Sequence, residues 1–373
     1  MLNDIRRLSG RSFHFKNRYL VSARSLLFGL ALTGCSILLN SHPIDNQFTK
    51  ATNPPMAIPL KFDGANDFTE GLAGVKIDGK WGYIDKSGNW VIPRQFDVAE
   101  PFSEGLAHVK TGNLWGYIDK RGNWVILPQF HLAKSFVEGL AQVKKNQLWG
   151  YIDKKGDWII QPQFYEARSF SEGRAAVELN QQWGYIDTSG KWVVRPKFAD
   201  VHSFSEGLAA VKTGNQWGYI DKMGGWVVEL QFKDASSFSE GLAAVGVFDG
   251  KSGYIDKSGN FVIMPYFDWA GDFSQGVTGV GLNNKVGYID KTGNAIVPPQ
   301  FDNTYEFSEG LIAVQINKRW GYIDKDGNLV IPPQFDNALS FAQGLARVKI
   351  KNKYGYVRHP ASTKDQRFSD NFN

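Results

Sequence analysis

The sequence predicts an all-β tandem array, and three observations carry that expectation. A Gly-Tyr step recurs through most of the chain, a Phe-x-x-Gly step recurs between its copies, and glycine (40), Phe (26), Tyr (14) and Trp (12) are too frequent for one ordinary compact domain. The Gly-Tyr glycines are Gly82, Gly116, Gly150, Gly184, Gly218, Gly253, Gly287, Gly321 and Gly355, spaced by 34 residues except for one step of 35. Nine copies in register imply nine structural units.

Within one unit, Leu72-Ala73-Gly74-Val75, Trp81-Gly82-Tyr83-Ile84 and Trp90-Val91-Ile92 are short β-branched and aromatic runs bounded by turn-forming residues, so each unit is expected to hold three strands. Asp85-Lys86-Ser87-Gly88-Asn89 reads as the tight turn of an antiparallel hairpin, its aspartate accepting backbone N–H groups. The segment from Gln95-Phe96 to Phe102-Ser103-Glu104-Gly105 leads into the next unit. Its two Phe positions, which account for 18 of the 26, are expected to plug the junction. Glycine inside nine strands implies that something lies against each of them, and the neighbouring unit is the expected occupant. A three-stranded unit of this size buries little by itself, so stability has to come from stacking.

At the residues Phe204-Ser205-Glu206-Gly207-Leu208-Ala209-Ala210-Val211 and Trp217-Gly218-Tyr219-Ile220-Asp221-Lys222 the chain resembles the WG, or KWG, repeat family, and the likeness runs over residues 57–357. That family has no single established biochemical role, so the resemblance implies architecture rather than activity. Propellers usually close with four to eight four-stranded blades, which favours an open solenoid or superhelix of nine units, on the order of 130 Å long. One feature favours a closed, propeller-like ring instead. Ala57-Ile58-Pro59 matches the third strand Val91-Ile92-Pro93, while the last unit stops after Gly355-Tyr356-Val357 and lacks that strand.

The formal charge of +5 does not mark a nucleic-acid surface. The first 34 residues hold Arg6, Arg7, Arg11, Lys16, Arg18 and Arg24 against Asp4, which leaves 36 basic and 36 acidic residues beyond them. A short apolar run from Leu26 to Leu32 follows, and Leu32-Thr33-Gly34-Cys35 resembles the lipobox of bacterial lipoproteins. The resemblance implies a signal peptide over 1–34 and lipidation of Cys35, the only cysteine, with a polar tether over 35–56 and a flexible tail over 358–373. The expected location is the cell envelope, and the outer membrane where there are two, since Ser36 rather than Asp follows the cysteine.

Catalytic chemistry is not expected. The six histidines occupy unrelated repeat positions, a second thiol is lacking, and no pair has helical metal-ligand spacing, so neither metal nor cofactor is anticipated. Repeated Asp and Glu residues share repeated environments, whereas glycoside hydrolysis needs two carboxyl groups pushed apart in pKa. Turn capping and satisfaction of backbone N–H groups are the expected roles.

The aromatic residues remain. Trp90, Trp124, Trp158, Trp192 and Trp226 open the third strand of successive units and are either core or a regularly spaced binding platform. The Trp before each Gly-Tyr step is expected in the core. The sixth and seventh units gain a residue near Phe248-Asp249-Gly250, lose that Trp at Ser252 and Val286, and gain Trp269 and Gln275. Phe248 and Trp269 are therefore candidate recognition residues, the alternative being a relaxed repeat that is losing its consensus. The expected function is a non-catalytic, envelope-anchored scaffold for protein or peptide partners, with a cell-wall glycan binder as the alternative and a glycoside hydrolase last. The oligomeric state is not legible.

Overall fold

The computed structural model describes residues 56–361, which form a closed nine-bladed β-propeller. Each blade is a separate four-stranded antiparallel sheet. In blade 1 a two-residue strand, Gly64–Ala65, pairs with Ala73–Ile77, which pairs with Lys80–Ile84, which pairs with Trp90–Phe96. Blades 2 to 9 begin at Val98, Leu132, Glu166, Asp200, Asp234, Trp269, Asn303 and Asn337. The leader, Cys35, the tether up to residue 55 and the tail from 362 lie outside the described residues.

The ring closes through the chain termini. Strand Met56–Phe62 supplies the fourth strand of blade 9 by pairing antiparallel with Lys353–Arg358, in the register Met56 to Val357, Ile58 to Tyr356 and Phe62 to Tyr354. The open solenoid is thereby overturned, and the complementarity of the two ends is its closure. The short first strand, separated by one residue from a buried Phe, opens a new sheet instead of extending the previous one. Consecutive sheets then pack face to face around an axis instead of joining edge to edge, and the unit has four strands rather than three.

Each hydrophobic cluster lies between two blades. Tyr83, Ile92 and Phe96 of blade 1 meet Phe102, Ala107, Val109 and Ile118 of blade 2, and the closing strand repeats this with Ile58 and Phe62 against Phe68, Ala73, Val75 and Ile84. Every Phe of the two repeated positions is buried. Each contributes roughly 1.5–3 kcal/mol by leaving water, a gain available only when a neighbouring blade is present.

The glycine of the Gly-Tyr step answers to a different neighbour from the one expected. A Cβ on Gly82 would stand 2.6 Å from the carbonyl oxygen of Ile92 and 2.7 Å from the nitrogen of Arg94, both in the last strand of its own blade. That strand is irregular between its pairs Ile92 to Tyr83 and Phe96 to Trp81, and its displaced backbone crosses the glycine. In blade 9 the same place against Gly355 is taken by Ile58 and Leu60 of the closing strand.

Candidate functional site

Among the polar contacts that stitch the blades together, which include Ser103 donating to the Phe136 carbonyl and its repeats, two further sets involve the repeated Tyr and Glu residues. Each buried Tyr donates its hydroxyl to a carbonyl of the following blade, from Tyr83 to Glu100 at 2.7 Å through to Tyr356 and Asn66 at 2.6 Å. Each Glu or Gln before the Phe-x-x-Gly glycine sits at positive φ, as Glu104 does at 52°, inside a two-residue turn in which Ser103 and Leu106 exchange backbone hydrogen bonds. From that strained position the Glu70 carboxylate accepts the N–H of Gly105 in the next blade and pairs with Lys120 at 2.9 Å. Burial pushes the Glu70 pKa up, but the bonds from Lys120 and from the Gly105 N–H outweigh it and hold the carboxyl below its ordinary range. The glycine contact recurs at the following junctions up to Gly276 and Glu240, is absent between Gly310 and Gln275 of blades 8 and 7, and resumes with Gly344 to Glu309 and, back in blade 1, Gly71 to Gln343. The turn aspartates cap as expected, Asp85 accepting the N–H groups of Ser87 and Asn89 at 2.9 Å.

The histidines are dispersed. His108, in blade 2, is buried against Trp115, and desolvation lowers its pKa to about 3; His202, three blades further on, lies edge-on to Trp217. Among the described residues no group of three or more His, Cys, Asp or Glu is arranged to hold a metal ion.

The structure splits the candidate aromatic residues between two regions. Trp90, Trp124, Trp158, Trp192 and Trp226 open the outermost strand of blades 1 to 5. Trp124 meets Phe96 of the preceding blade edge-on at 6.0 Å, and Trp158, Trp192 and Trp226 repeat the contact. Trp90 remains 40% exposed, so these rings both seal junctions and line the outer circumference. The Trp of the Gly-Tyr step is more enclosed, with Trp149, Trp217 and Trp320 buried.

Phe248 and Trp269 belong to the other region, near the hairpins that join the second and third strands. In blades 1 to 5 and 8 an indole on the third strand covers the second strand beside it; in blade 1 Trp81 reaches as far as Gly64 on the first strand. Blade 7 reverses this arrangement. The ring comes from the first strand as Trp269 and lies on Gly281, where a Cβ would stand 2.0 Å from its Nε1, with Gly271 and Gly279 also against it. Blade 6 has no ring there at all, with Asp234, Gly246 and Ser252 in the three places. The result is two open cavities sharing Trp269 as a wall. One, of about 290 Å³, includes Trp217, His202, Asp234 and Ser252. The other, of about 580 Å³, includes Asp272, Tyr305, Glu306, Phe341 and Asp67. Residues from blades 7, 8, 9 and 1 can share a cavity only if the short first strands face the propeller axis. Phe248, 59% exposed, tops the hairpin that springs from Gly246 and Ser252 at the rim of the smaller cavity.

Asp234, Asp272, Tyr305, Glu306 and the three glycines under Trp269 were not singled out from the sequence. Column-by-column alignment of the nine units shows them as departures: Asp272 and Glu306 stand where five blades have Ser, and Gly281 where five have Lys.

The match to the family model described as WG containing repeat decides the kinship, because its nine copies tile almost the whole propeller, from 56–81 through 320–354. The chain belongs to the WG-repeat family. No curated protein matches this WG-repeat chain. Among solved structures, a eukaryotic initiation factor matches with a TM-score of 0.56 at 12% identity, over 78% of this chain and 94% of its own. BamB from Moraxella catarrhalis matches with a TM-score of 0.41 at 11% identity, over 72% and 98%. At such identities the first likeness speaks to the fold of the WG-repeat propeller alone.

Proposed function

We propose that this protein is a non-catalytic recognition scaffold for a protein or peptide partner, and that its specific surface is the inner wall and hairpin rim of blades 6 to 8. The supporting observation is the transfer of the indole from the third strand to the first as Trp269, which opens a cavity on either side of one exposed ring. Exposed aromatic residues flanked by cavities are what interfaces use as anchors. Proximity labelling from the chain in its native envelope identifies the partner. Phe248→Ser combined with Trp269→Ala should weaken binding of that purified partner by at least about tenfold without unfolding the propeller; unaltered binding rejects the surface.

The proposal extends to location. Cys35 is the lipid attachment point, and the polar segment behind it tethers the propeller to the envelope, at the outer membrane in a two-membrane cell. Cys35→Ser should move the protein to the soluble fraction, and retention in membranes rejects anchoring at this residue. A cell-wall glycan reading draws support from the partial exposure of Trp90, Trp124 and Trp226. Those rings follow the circumference, however, rather than forming one flat platform, and co-sedimentation with purified cell wall separates the two readings.

A further inference from the structure

Deepening the reading above, on which it rests, we propose that the larger cavity beside Trp269 seats the guanidinium of a partner's arginine side chain, stacked on the indole and paired with the carboxylates of Asp272 and Glu306.

The first argument is the open ring. In blades 3, 4 and 5 the indole at the corresponding layer is covered by a cation from its own blade, Lys144 over Trp149 at 5.4 Å, Arg168 over Trp183 at 5.1 Å and Lys212 over Trp217 at 5.6 Å. In blade 7 the residue in the place of Lys212 is Gly281, which lies beneath the ring and carries no charge. Trp269 is 42% exposed, so its free face is available to a cation from outside.

The second argument is charge. Several carboxylates of this fold are matched to cations, as Asp97 is to Lys80 and Glu172 to Lys222, while others, such as the turn aspartate Asp85, are held by backbone N–H groups. No Lys or Arg lines the larger cavity, and Arg347 is engaged by Asp67 at its edge. Among the described residues no ion pair involves Asp272 or Glu306, and both side chains are exposed to an incoming cation. Partial desolvation, and then the charge of Glu306, raise the Asp272 pKa.

The third argument is shape. The cavity, of about 580 Å³, is lined by the rings of Trp269 and Tyr305 beside these two acids, and Tyr305 is itself backed by Trp320 at 4.9 Å. A guanidinium is planar, is weakly hydrated, and can stack while donating to carboxylates in its plane, whereas an ammonium offers a point charge. Gly271, Gly279 and Gly281 hold the indole flat against the sheet and so fix the stacking surface.

The test uses the full chain and three probes followed by saturation-transfer NMR and calorimetry: N-acetyl-arginine-N-methylamide, its citrulline analogue of the same shape without charge, and the lysine analogue. The arginine probe should bind, and the citrulline and lysine probes at least about tenfold more weakly. Trp269→Ala should abolish binding and Trp269→Phe should keep part of it. Asp272→Asn with Glu306→Gln should remove the preference for arginine over citrulline in a protein that remains folded. Equal binding of arginine and citrulline, or a preference that survives the double variant, overturns the proposal. Failures of the two readings are distinguishable. Partner binding that needs Trp269 but ignores the Asp272/Glu306 double variant overturns the arginine assignment alone, whereas partner binding that ignores Trp269 and Phe248 overturns the recognition surface with it.

Discussion

The hydroxyl of Tyr356 donates to the carbonyl of Asn66, 2.6 Å away in space and 290 residues earlier in the chain. The contact joins blade 9 to blade 1 in the same way that Tyr83 joins blade 1 to blade 2, so the last junction is built like the others. Closure requires no special device beyond a strand borrowed from the other end of the chain.

Replacing one such Tyr by Phe leaves a carbonyl in a blade junction without its donor. Tyr151→Phe is expected to cost about 1–3 kcal/mol in chemical denaturation, and Tyr356→Phe a similar amount, because both hydroxyls meet equivalent carbonyls. A negligible loss at Tyr356 alone would mean that the last junction is not formed.

Two glycines of the repeat predict opposite sensitivities. Gly116→Ala places a methyl 2.5 Å from the carbonyl oxygen of Ile126 and 2.7 Å from the nitrogen of Pro128, backbone atoms that cannot step aside. It should destabilise the protein by more than about 3 kcal/mol. Gly105, at φ 87°, has nothing within 4 Å of such a methyl, so Gly105→Ala should cost only the conformational strain, about 1–2 kcal/mol. Denaturation midpoints of the two variants should therefore fall in that order.

The junction glutamates make stability sensitive to acid. Burial raises the carboxyl pKa of Glu70, Glu172 and Glu240, but lysine and backbone donors outweigh it, so each folded value lies below the ordinary one. A group depressed in this way contributes stability that is full above its unfolded pKa, about 4.3, and is lost as pH falls through the folded value. Thermal midpoints should be flat near neutrality and drop below roughly pH 4.3. Glu172→Gln should lower the neutral plateau and shrink the acid drop, and an unchanged drop in a variant lacking several of these acids would contradict the assignment.

Much of the fold was legible because its signals repeat. The phase of Gly82 and its eight counterparts, the paired Phe positions and the match of Ala57-Ile58-Pro59 to Val91-Ile92-Pro93 each follow from residue identity alone. The decisive strand was not legible, since Gly64–Ala65 is two residues long and has no periodicity to read. The neighbour of Gly82 was misjudged for a related reason, because an irregular strand leaves no mark in hydrophobic alternation. Trp269 stood out as a gain in a unit that departs from the consensus, but its partners did not. Gly281, Asp272 and Glu306 acquire meaning only once the first strands face the axis and bring four successive blades to one cavity.

The most direct test of the closed ring is a single distance between the chain's two ends. Spin labels at Lys61→Cys and Lys353→Cys, in a chain carrying Cys35→Ser, sit on strands that are hydrogen-bonded to each other in blade 9. Pulsed dipolar spectroscopy should return a narrow distribution at about 20 Å or less, as adjacent strands require. An end-to-end separation approaching the ~130 Å of an open array would contradict the closed propeller.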